Sequence, residues 1–321
     1  MSRRRGESRT DADKTGRTHA SSLARNGDEP SQRGAGSKPQ QPREIAPALY
    51  LVATPIGNAE DITLRALATL RAADVIACED TRVTAKLLAR HGIERPLLAY
   101  HDHNAERMRP LLLERLRRGE IVALVSDAGT PLVSDPGFKL VRAAVAEGLA
   151  VGTLPGPSAA LAALVLSGLP SDRFLFAGFL PAKQAGRRTA LAELAPVRAS
   201  LVFFESAPRL AESLADMAAV LGDRPAAVAR ELTKLYEEVR RGGLSELAAR
   251  YAGEGPPRGE LVVVVGPPAE APAPSAEALD RQLEAALASM SVKDASAAVA
   301  AATGLSRREV YARALLLAGR G

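Results

Sequence analysis

The feature that most constrains this fold is an alternation, between residues 48 and 268, of short β-rich apolar runs with stretches of helical spacing. The runs are "LYLVATP", "DVIACE", "IVALVSDAG" and "AVGTLPG", then "RFLFAGFLP", "SLVFFES", "AAVARE" and "ELVVVVGPP". This alternation predicts an α/β fold with mainly parallel sheets. The runs divide near Gly156 into two halves, and a cleft between two such halves is a common place for a ligand.

Composition divides the chain into four predicted segments. A Ser-, Gly-, Pro- and Arg-rich tail at 1–47 is expected to be disordered. Two α/β domains follow at 48–156 and 157–268, and a linker with a helical extension occupies 269–321. In the extension, two helices and a turn are expected, with Ser306 as the cap of the last helix and Glu309 completing a capping box. Such a pair is either a helix-turn-helix or a small packing element of a bundle or dimer.

Charge and cysteine content exclude some classes of protein. The net charge of +5 lies mostly in the first 48 residues, so the rest of the chain is nearly neutral. A basic patch on that part would have to come from local clustering of Lys and Arg and not from an excess of them. The only cysteine, Cys78, excludes an internal disulfide framework and a thiolate metal cluster, and it fits a cytoplasmic chain. The uncharged stretch 149–171 is broken by glycine and proline and is too short to span a membrane.

Polar side chains follow the predicted strands at their carboxyl ends, where doubly wound folds bind ligands. "TPIGN" follows the first run and either shapes a tight turn or contacts a ligand. "EDTR" follows the second, where Asp80 and Arg82 either pair and cap a helix or serve the site. In "YHDHN", His101 and His103 are expected to point the same way on an extended strand and to contact RNA or substrate, with a metal disfavoured by the lack of a third ligand.

The stretch "VSDAGTPLVSDPG" concentrates small residues after a buried strand. Ser126, Ala128, Gly129, Thr130 and Ser134 allow the backbone to approach a ligand closely. "TLPGPSAALAAL" does the same one strand later, with Ser158 placed to cap a helix. Two such loops from neighbouring strands form a wall of backbone N–H and C=O groups, which predicts a ligand recognised mainly by the backbone. The chain has no GxxxxGK[ST] motif, so a phosphate-binding P-loop is absent, and no GxGxxG follows the first strand.

Seven motifs in order carry a family resemblance: "TPIGN", "EDTR", "YHDHN", "SDAGTPLVSDPG", "PGPSA", "FFESAPRL" and "RELTKLYEE". They resemble the tetrapyrrole methylase family, in its branch of bacterial 16S ribosomal RNA (cytidine 2′-O)-methyltransferases. The resemblance covers about residues 48–268 and extends to the helical tail. Ser206 and Pro208–Arg209 depart from the branch, which commonly has Ala and His-Arg there, so a role for that imidazole is in doubt.

The resemblance implies two α/β domains that bind S-adenosylmethionine in the cleft between them. Thr130 stands where other branches have an acidic residue, and a hydroxyl with backbone carbonyls can hold a sulfonium-bearing ligand without a second buried charge. The implied cofactor-binding residues are Thr54, Pro55, Gly57, Asp127, Ala128, Gly129, Thr130, Ser134, Pro155, Ser158, Phe204, Ala229, Gly259 and Glu260. The expected RNA-binding residues are Asn58, Arg82, His103, Arg107 and Arg109, and no metal is expected.

The implied reaction is methylation of the 2′-hydroxyl of cytidine 1402 in 16S rRNA of the 30S subunit. The candidates for a general base are Asp80, His101 and Asp127, in that order. A homodimer is expected, because a nearly neutral body offers little surface for a large RNA. Two alternatives are a methylase of the same fold that acts on a small tetrapyrrole and a non-catalytic RNA-binding module.

Overall fold

A computed structural model of the chain describes residues 45–269 and 275–319. The predicted N-terminal tail lies, up to residue 44, outside the described residues, as does 270–274 in the linker. Among the residues that are described, no helix is long and apolar enough to cross a membrane.

The first sheet has five strands, which are parallel throughout and ordered β3-β2-β4-β1-β5. The strands are β1 (Leu49–Val52), β2 (Val75–Cys78), β3 (Leu97–Ala99), β4 (Val122–Val125) and β5 (Val151–Leu154). The helices that connect them are α1 (Leu64–Ala72), α2 (Thr81–Arg90), α3 (Ala105–Arg117) and α4 (Phe138–Ala146). A short 3-10 turn at Ala59–Asp61 precedes α1.

Both faces of the first sheet are covered, which explains why its central strand is a continuous apolar run. Alternate residues of β4 point to opposite faces, so Leu124 packs with α3 and α4, whereas Val125 packs with α1 and α2. All four residues of β4 are buried. This doubly wound arrangement brings the loops that follow β1, β2, β3 and β4 to one edge of the sheet.

The second sheet has the order β6-β7-β10-β8-β9. Its strands are β6 (Phe174–Phe179), β7 (Ser200–Glu205), β8 (Pro225–Arg230), β9 (Glu238–Gly243) and β10 (Leu261–Val265). Its helices are α5 (Ala159–Ser167), α6 (Gln184–Leu194), α7 (Leu210–Leu221) and α8 (Leu244–Glu254), with a 3-10 turn at Ala207–Arg209. On one face, α5 packs through Ala160, Ala163 and Leu164, and the other three helices cover the opposite face.

The prediction of mainly parallel sheets is wrong for the second sheet. Only β6 and β7 pair parallel, and β10 runs antiparallel to both β7 and β8, as β8 does to β9. The central run "LVVVV" is buried at every position because helices cover both faces, and this pattern does not distinguish strand direction. Strand β9 was not predicted because its sequence "EVRRGG" is polar, which an edge strand tolerates.

The helical extension contains three helices, not the two that were predicted: α9 (Ala276–Leu287), α10 (Val292–Thr303) and α11 (Arg307–Ala318). They enclose a small core of their own, which includes Leu283, Val299 and Val310. The predicted cap is confirmed, since the Ser306 hydroxyl accepts a hydrogen bond from the Glu309 amide at 3.2 Å.

Candidate active site

The loops that follow β1 and β4 are joined by backbone hydrogen bonds. The Thr54 amide donates to the Gly129 carbonyl at 2.9 Å, and the Gly129 amide donates back to the Thr54 carbonyl at 3.0 Å. The Thr54 hydroxyl donates to the Ser126 carbonyl at 3.0 Å, and the Ser126 hydroxyl donates to the Gly129 carbonyl at 2.8 Å. These bonds fix the position of Gly129, whose φ of +86° is readily adopted only by glycine.

The β4 loop is held in an unusual conformation over its whole length. Leu132 and Ser134 have φ of +73° and +66°, a region that side-chain-bearing residues seldom occupy. The Thr130 hydroxyl donates to the Pro157 carbonyl at 3.1 Å and so ties this loop to the one that precedes α5. Backbone conformations of this kind cluster at ligand-binding sites, where the surrounding structure maintains them.

A cleft of about 520 Å³ lies between the two sheets, within the volume range usual for small-molecule sites. Eight of the fourteen predicted cofactor-binding residues line it: Ala128, Gly129, Thr130, Ser134, Ser158, Phe204, Gly259 and Glu260. The cleft is also lined by residues that were not predicted, among them Ile56, Val133, Asp135, Phe179 and Glu205. Of these, Val133 and Asp135 fall inside the quoted small-residue loop, so that motif already marked their position.

The second half supplies an aromatic wall to the cleft. The rings of Phe179 and Phe204 meet edge to face with their centroids 5.5 Å apart. Glu205 is buried beside them, and its carboxylate accepts hydrogen bonds from the Ser206 amide at 2.7 Å and the Ser213 hydroxyl at 2.5 Å. Because these bonds satisfy the carboxylate, it acts as a fixed part of the wall.

The two halves also meet through the loop that follows β8. A Cβ atom on Gly57 would lie 2.5 Å from Lys234 Cγ and 2.9 Å from the Leu232 carbonyl oxygen, so only glycine fits there. The Asn58 amide donates to the Thr233 hydroxyl at 3.0 Å. Glycine 57 is therefore placed at a contact between the halves and not on the cleft wall.

The remaining predicted cofactor-binding residues lie outside the cleft lining. They are Thr54, which is buried in the bridge described above, Pro55, Gly57, Pro155 and Ala229, which is buried in β8, and Asp127, which lines a neighbouring groove.

A groove of about 460 Å³ lies at the carboxyl ends of β2, β3 and β4, next to the cleft. Its lining includes all three candidate bases, Asp80, His101 and Asp127, and two of the predicted RNA contacts, Arg82 and His103. The other three predicted RNA contacts, Asn58, Arg107 and Arg109, line neither the groove nor the cleft. Groove and cleft are adjacent because Asp127 lines the groove and the next residue, Ala128, lines the cleft.

Asp80 is engaged in local structure. Its carboxylate caps α2 by accepting from the Arg82 amide at 2.8 Å, and it pairs with the Arg82 guanidinium at 2.6 Å. Hydrogen bonds from the Arg82 side chain and amide lower the Asp80 pKa to about 2. The pairing and capping alternative is therefore realised, and the carboxylate is a weak base.

The two histidines do not lie on a strand, so the expectation that they share one strand face is wrong. Strand β3 ends at Ala99, and Asn104 closes a turn by donating to the Ala99 carbonyl at 2.9 Å and accepting from the His101 amide at 3.0 Å. The rings of His101 and His103 have centroids 5.9 Å apart. Within 45–269 and 275–319, no cluster of three His, Cys, Asp or Glu side chains could hold a metal ion.

Asp135 has the opposite environment to Asp80. Burial, followed by the nearby carboxylates of Glu79 and Asp127, raises the pKa of Asp135 to about 6, and a hydrogen bond from Ser126 offsets part of this rise. The site therefore places one carboxyl group with a pKa near neutrality on the cleft wall, beside the groove.

The fold and the cleft define a tetrapyrrole methylase. The family model for tetrapyrrole (corrin/porphyrin) methylases matches residues 48–248, and a model for the RsmI C-terminal HTH domain matches residues 272–318. Crystal structures of a cobalt precorrin-4 methyltransferase and of diphthine synthase share the fold, with TM-scores of 0.51 and 0.53 at 20% and 19% identity. Each covers 68% of this chain, and the matches span 94% and 90% of those structures.

Within that class, the chain belongs to the ribosomal RNA small subunit methyltransferase I family. The Mesorhizobium japonicum protein of that name is 56% identical over 276 residues, which are 86% of this chain and 94% of that protein. The Pseudomonas aeruginosa protein of that name is 48% identical over 280 residues, 86% of this chain and 99% of that protein.

Family membership confirms the predicted fold class and the predicted enzyme class, a methyltransferase, and with it the methyl donor S-adenosylmethionine. It also favours an enzyme over a non-catalytic RNA-binding module. The match at 272–318 favours the helix-turn-helix interpretation of the extension.

Proposed function

We propose that the protein transfers a methyl group from S-adenosylmethionine to the 2′-hydroxyl of a cytidine in 16S rRNA, at cytidine 1402 in the usual numbering. The relatives at 56% and 48% identity are named small-subunit rRNA methyltransferases. The observation that carries the proposal is the junction at Asp127 and Ala128, where a groove open enough for a nucleotide meets a cleft of cofactor size.

The cleft residues fit the cofactor. An adenine ring suits the aromatic and aliphatic wall of Phe179, Phe204 and Val262, and small residues such as Gly129 and Ser134 leave room for the methionine end. Glu205 is hydrogen-bonded within the protein by Ser206 and Ser213, and the rest of the lining is mostly apolar. A ligand with a flat apolar ring matches this distribution.

The bound cofactor supplies an activated methyl group, and the protein supplies alignment. An in-line displacement needs the ribose hydroxyl, the methyl carbon and the sulfur on one line, and holding reactants in such a geometry is worth roughly 7–11 kcal/mol in ideal cases. The hydrogen bonds that join Thr54, Ser126 and Gly129 make this wall rigid. A base that accepts the hydroxyl proton adds about 10²–10⁴-fold.

On the RNA side, the groove carries His101 and His103 from the turn after β3, with Arg82 at its rim. Arg82 is paired with Asp80 but its side chain remains 85% exposed, so it can exchange this partner for a phosphate. Arg107 and Arg109 follow on α3, and we propose that they contact phosphates outside the groove. The assembled 30S subunit is the proposed substrate and the cytoplasm the proposed location.

A homodimer remains part of the proposal. Leu161 and Val165, one turn apart on α5, are 48% and 73% exposed, and Leu235 is 88% exposed in the loop that contacts the first half. A second copy of the chain that covers such side chains would lower their hydration cost and extend the surface offered to RNA. Light scattering at micromolar concentration should give twice the chain mass, and a monomer mass would contradict the dimer.

The direct test incubates the purified protein with labelled S-adenosylmethionine and either 30S subunits or protein-free 16S rRNA. Nuclease digestion followed by chromatography should recover the label as 2′-O-methylcytidine, with more from the subunit. Label in a base-methylated nucleoside, or in neither RNA, would contradict the proposal. Uroporphyrinogen as acceptor tests the alternative of a small tetrapyrrole substrate in the same assay.

A further inference from the structure

Asp135 lies where the cleft meets the groove. It lines the cleft together with Gly129 and Ser134, and the two carboxylates that act on it most strongly, those of Glu79 and Asp127, line the groove. Methyl transfer requires the methyl group and the ribose hydroxyl to meet at this junction. A carboxyl group here is within the region where the hydroxyl proton has to leave.

Three other carboxylates of the site are already engaged. Asp80 caps α2 and pairs with Arg82, Glu205 accepts from Ser206 and Ser213, and Asp127 accepts from the Asp80 amide at 3.1 Å. In contrast, no lysine or arginine in the described ranges forms an ion pair with Asp135. The charged groups that act on its pKa, Glu79 and Asp127, are both acidic, and only the Ser126 side chain offsets them.

The backbone on both sides of Asp135 is fixed. Ser134 precedes it at φ +66°, and Gly137, two residues later, has φ +135°. A Cβ on Gly137 would come within 2.7 Å of Leu124 Cδ2, so this position accepts only glycine. The loop therefore delivers the carboxyl group of Asp135 to a defined place on the cleft wall.

We propose that Asp135 is the general base of the reaction, an assignment that rests on the proposed function. Its ionised carboxylate accepts the proton of the ribose 2′-hydroxyl as the oxygen forms a bond to the methyl carbon. The bond between that carbon and sulfur breaks, and its electron pair stays on sulfur. The products are the methyl ether, neutral S-adenosylhomocysteine and a protonated Asp135, which then releases its proton to solvent.

The electrostatics suit this role. A base is most effective when its pKa lies near the working pH, because it is then both ionised and a good proton acceptor. Burial and the charges of Glu79 and Asp127 bring the pKa of Asp135 to about 6, whereas that of Asp80 lies near 2. At pH 7.5 Asp135 is mostly ionised and the better acceptor of the two.

The test compares wild type with Asp135→Asn, which keeps the shape of the side chain, and with Asp172→Asn, an exposed carboxylate that lines neither cavity. Calorimetry measures the affinities for S-adenosylmethionine and S-adenosylhomocysteine, and single-turnover methylation of 30S subunits measures the chemical step. We expect Asp135→Asn to lower the rate about 10²–10⁴-fold with both affinities within twofold of wild type. Asp172→Asn should match wild type in every measurement.

Two further results would overturn the assignment. If Asp135→Asn weakens the binding of S-adenosylmethionine but not that of S-adenosylhomocysteine, whose sulfur is uncharged, the carboxylate faces the sulfonium and is not the base. If the variant keeps a rate within threefold of wild type, no proton transfer depends on it. An inactive wild type would instead refute the proposed function, and the assignment would fall with it.

The pH dependence of the methylation rate distinguishes a base from a residue with only a structural role. The wild-type rate should fall below pH 6 as Asp135 becomes protonated. Glu79→Gln removes a neighbouring negative charge that raises the Asp135 pKa, so the fall in rate should occur at lower pH in this variant. A fall in rate at the wild-type pH in Glu79→Gln would contradict the assignment.

Discussion

Gly129→Val tests the role of the β4 loop in cofactor binding. At φ +86° a side chain costs about 1–2 kcal/mol of backbone strain. A Cβ atom there would lie 3.4 Å from Ile56 Cγ2 and 3.8 Å from the Pro157 oxygen, which is ordinary contact. The protein should therefore fold, with a modest loss of stability.

The two further methyl groups of valine have to be placed beside Ile56, which also lines the cleft. Forcing extra methyl groups into a close-packed space costs about 1–3 kcal/mol, which corresponds to about 5- to 150-fold in Kd. We expect calorimetric titration with S-adenosylhomocysteine to show a loss of affinity of at least this size.

Gly119→Val is the matched control. Gly119 has φ +78° and no atom within 4 Å of the Cβ position, so the same substitution adds similar strain away from the cleft. The two variants should lose similar amounts in Tm, and only Gly129→Val should lose affinity. Wild-type affinity in Gly129→Val, or an equal loss in both variants, would refute this account of the cleft wall.

Three other outcomes are expected. Because the folded-state pKa of Asp135, about 6, exceeds its ordinary value of 3.8, ionisation there costs stability; Asp135→Asn should add up to about 3 kcal/mol at pH 8 and nothing near pH 4, and an equal Tm change at both pH values would contradict this. Arg187 and Asp216 form a fully buried ion pair at 2.7 Å, and Arg188 and Gln184 also bond to Asp216; Arg187→Met should therefore cost about 1.5–3 kcal/mol in urea unfolding, and no measurable loss would be inconsistent with the pair. Deleting residues 1–44 should leave S-adenosylhomocysteine affinity within twofold of the full chain, since every cleft-lining residue lies between 56 and 262, and lost affinity would show that the tail serves the cleft.

The sequence predicted eight of the ten strands in the described residues from their apolar runs and missed β3 and β9. "LVVVV" and "VALV" are continuous apolar runs because helices cover both sides of their sheets. Strand β9 is a polar edge strand and β3 has only three half-buried residues, so neither carries such a signal. Strand direction in the second sheet depends on how its connections pack, which local sequence does not record.

The candidate site shows the same division. Small residues around Gly129 marked the cleft wall because close backbone approach restricts which residues fit. The sequence did not separate Asp80 from Asp135, since both follow buried strands in motifs rich in turn residues. Burial, followed by the charge of Glu79, which is distant in sequence, raises the pKa of Asp135, whereas local pairing with Arg82 lowers the pKa of Asp80.

The most direct test of the central claim is mass spectrometry of ribose methylation in 16S rRNA from cells with and without the gene. We expect one cytidine to carry a 2′-O-methyl group in the parent strain, to lose it on deletion and to regain it with the wild-type gene but not with the Gly129→Val gene. A 16S rRNA whose ribose methylation is identical in the parent and the deletion strain would contradict the claim.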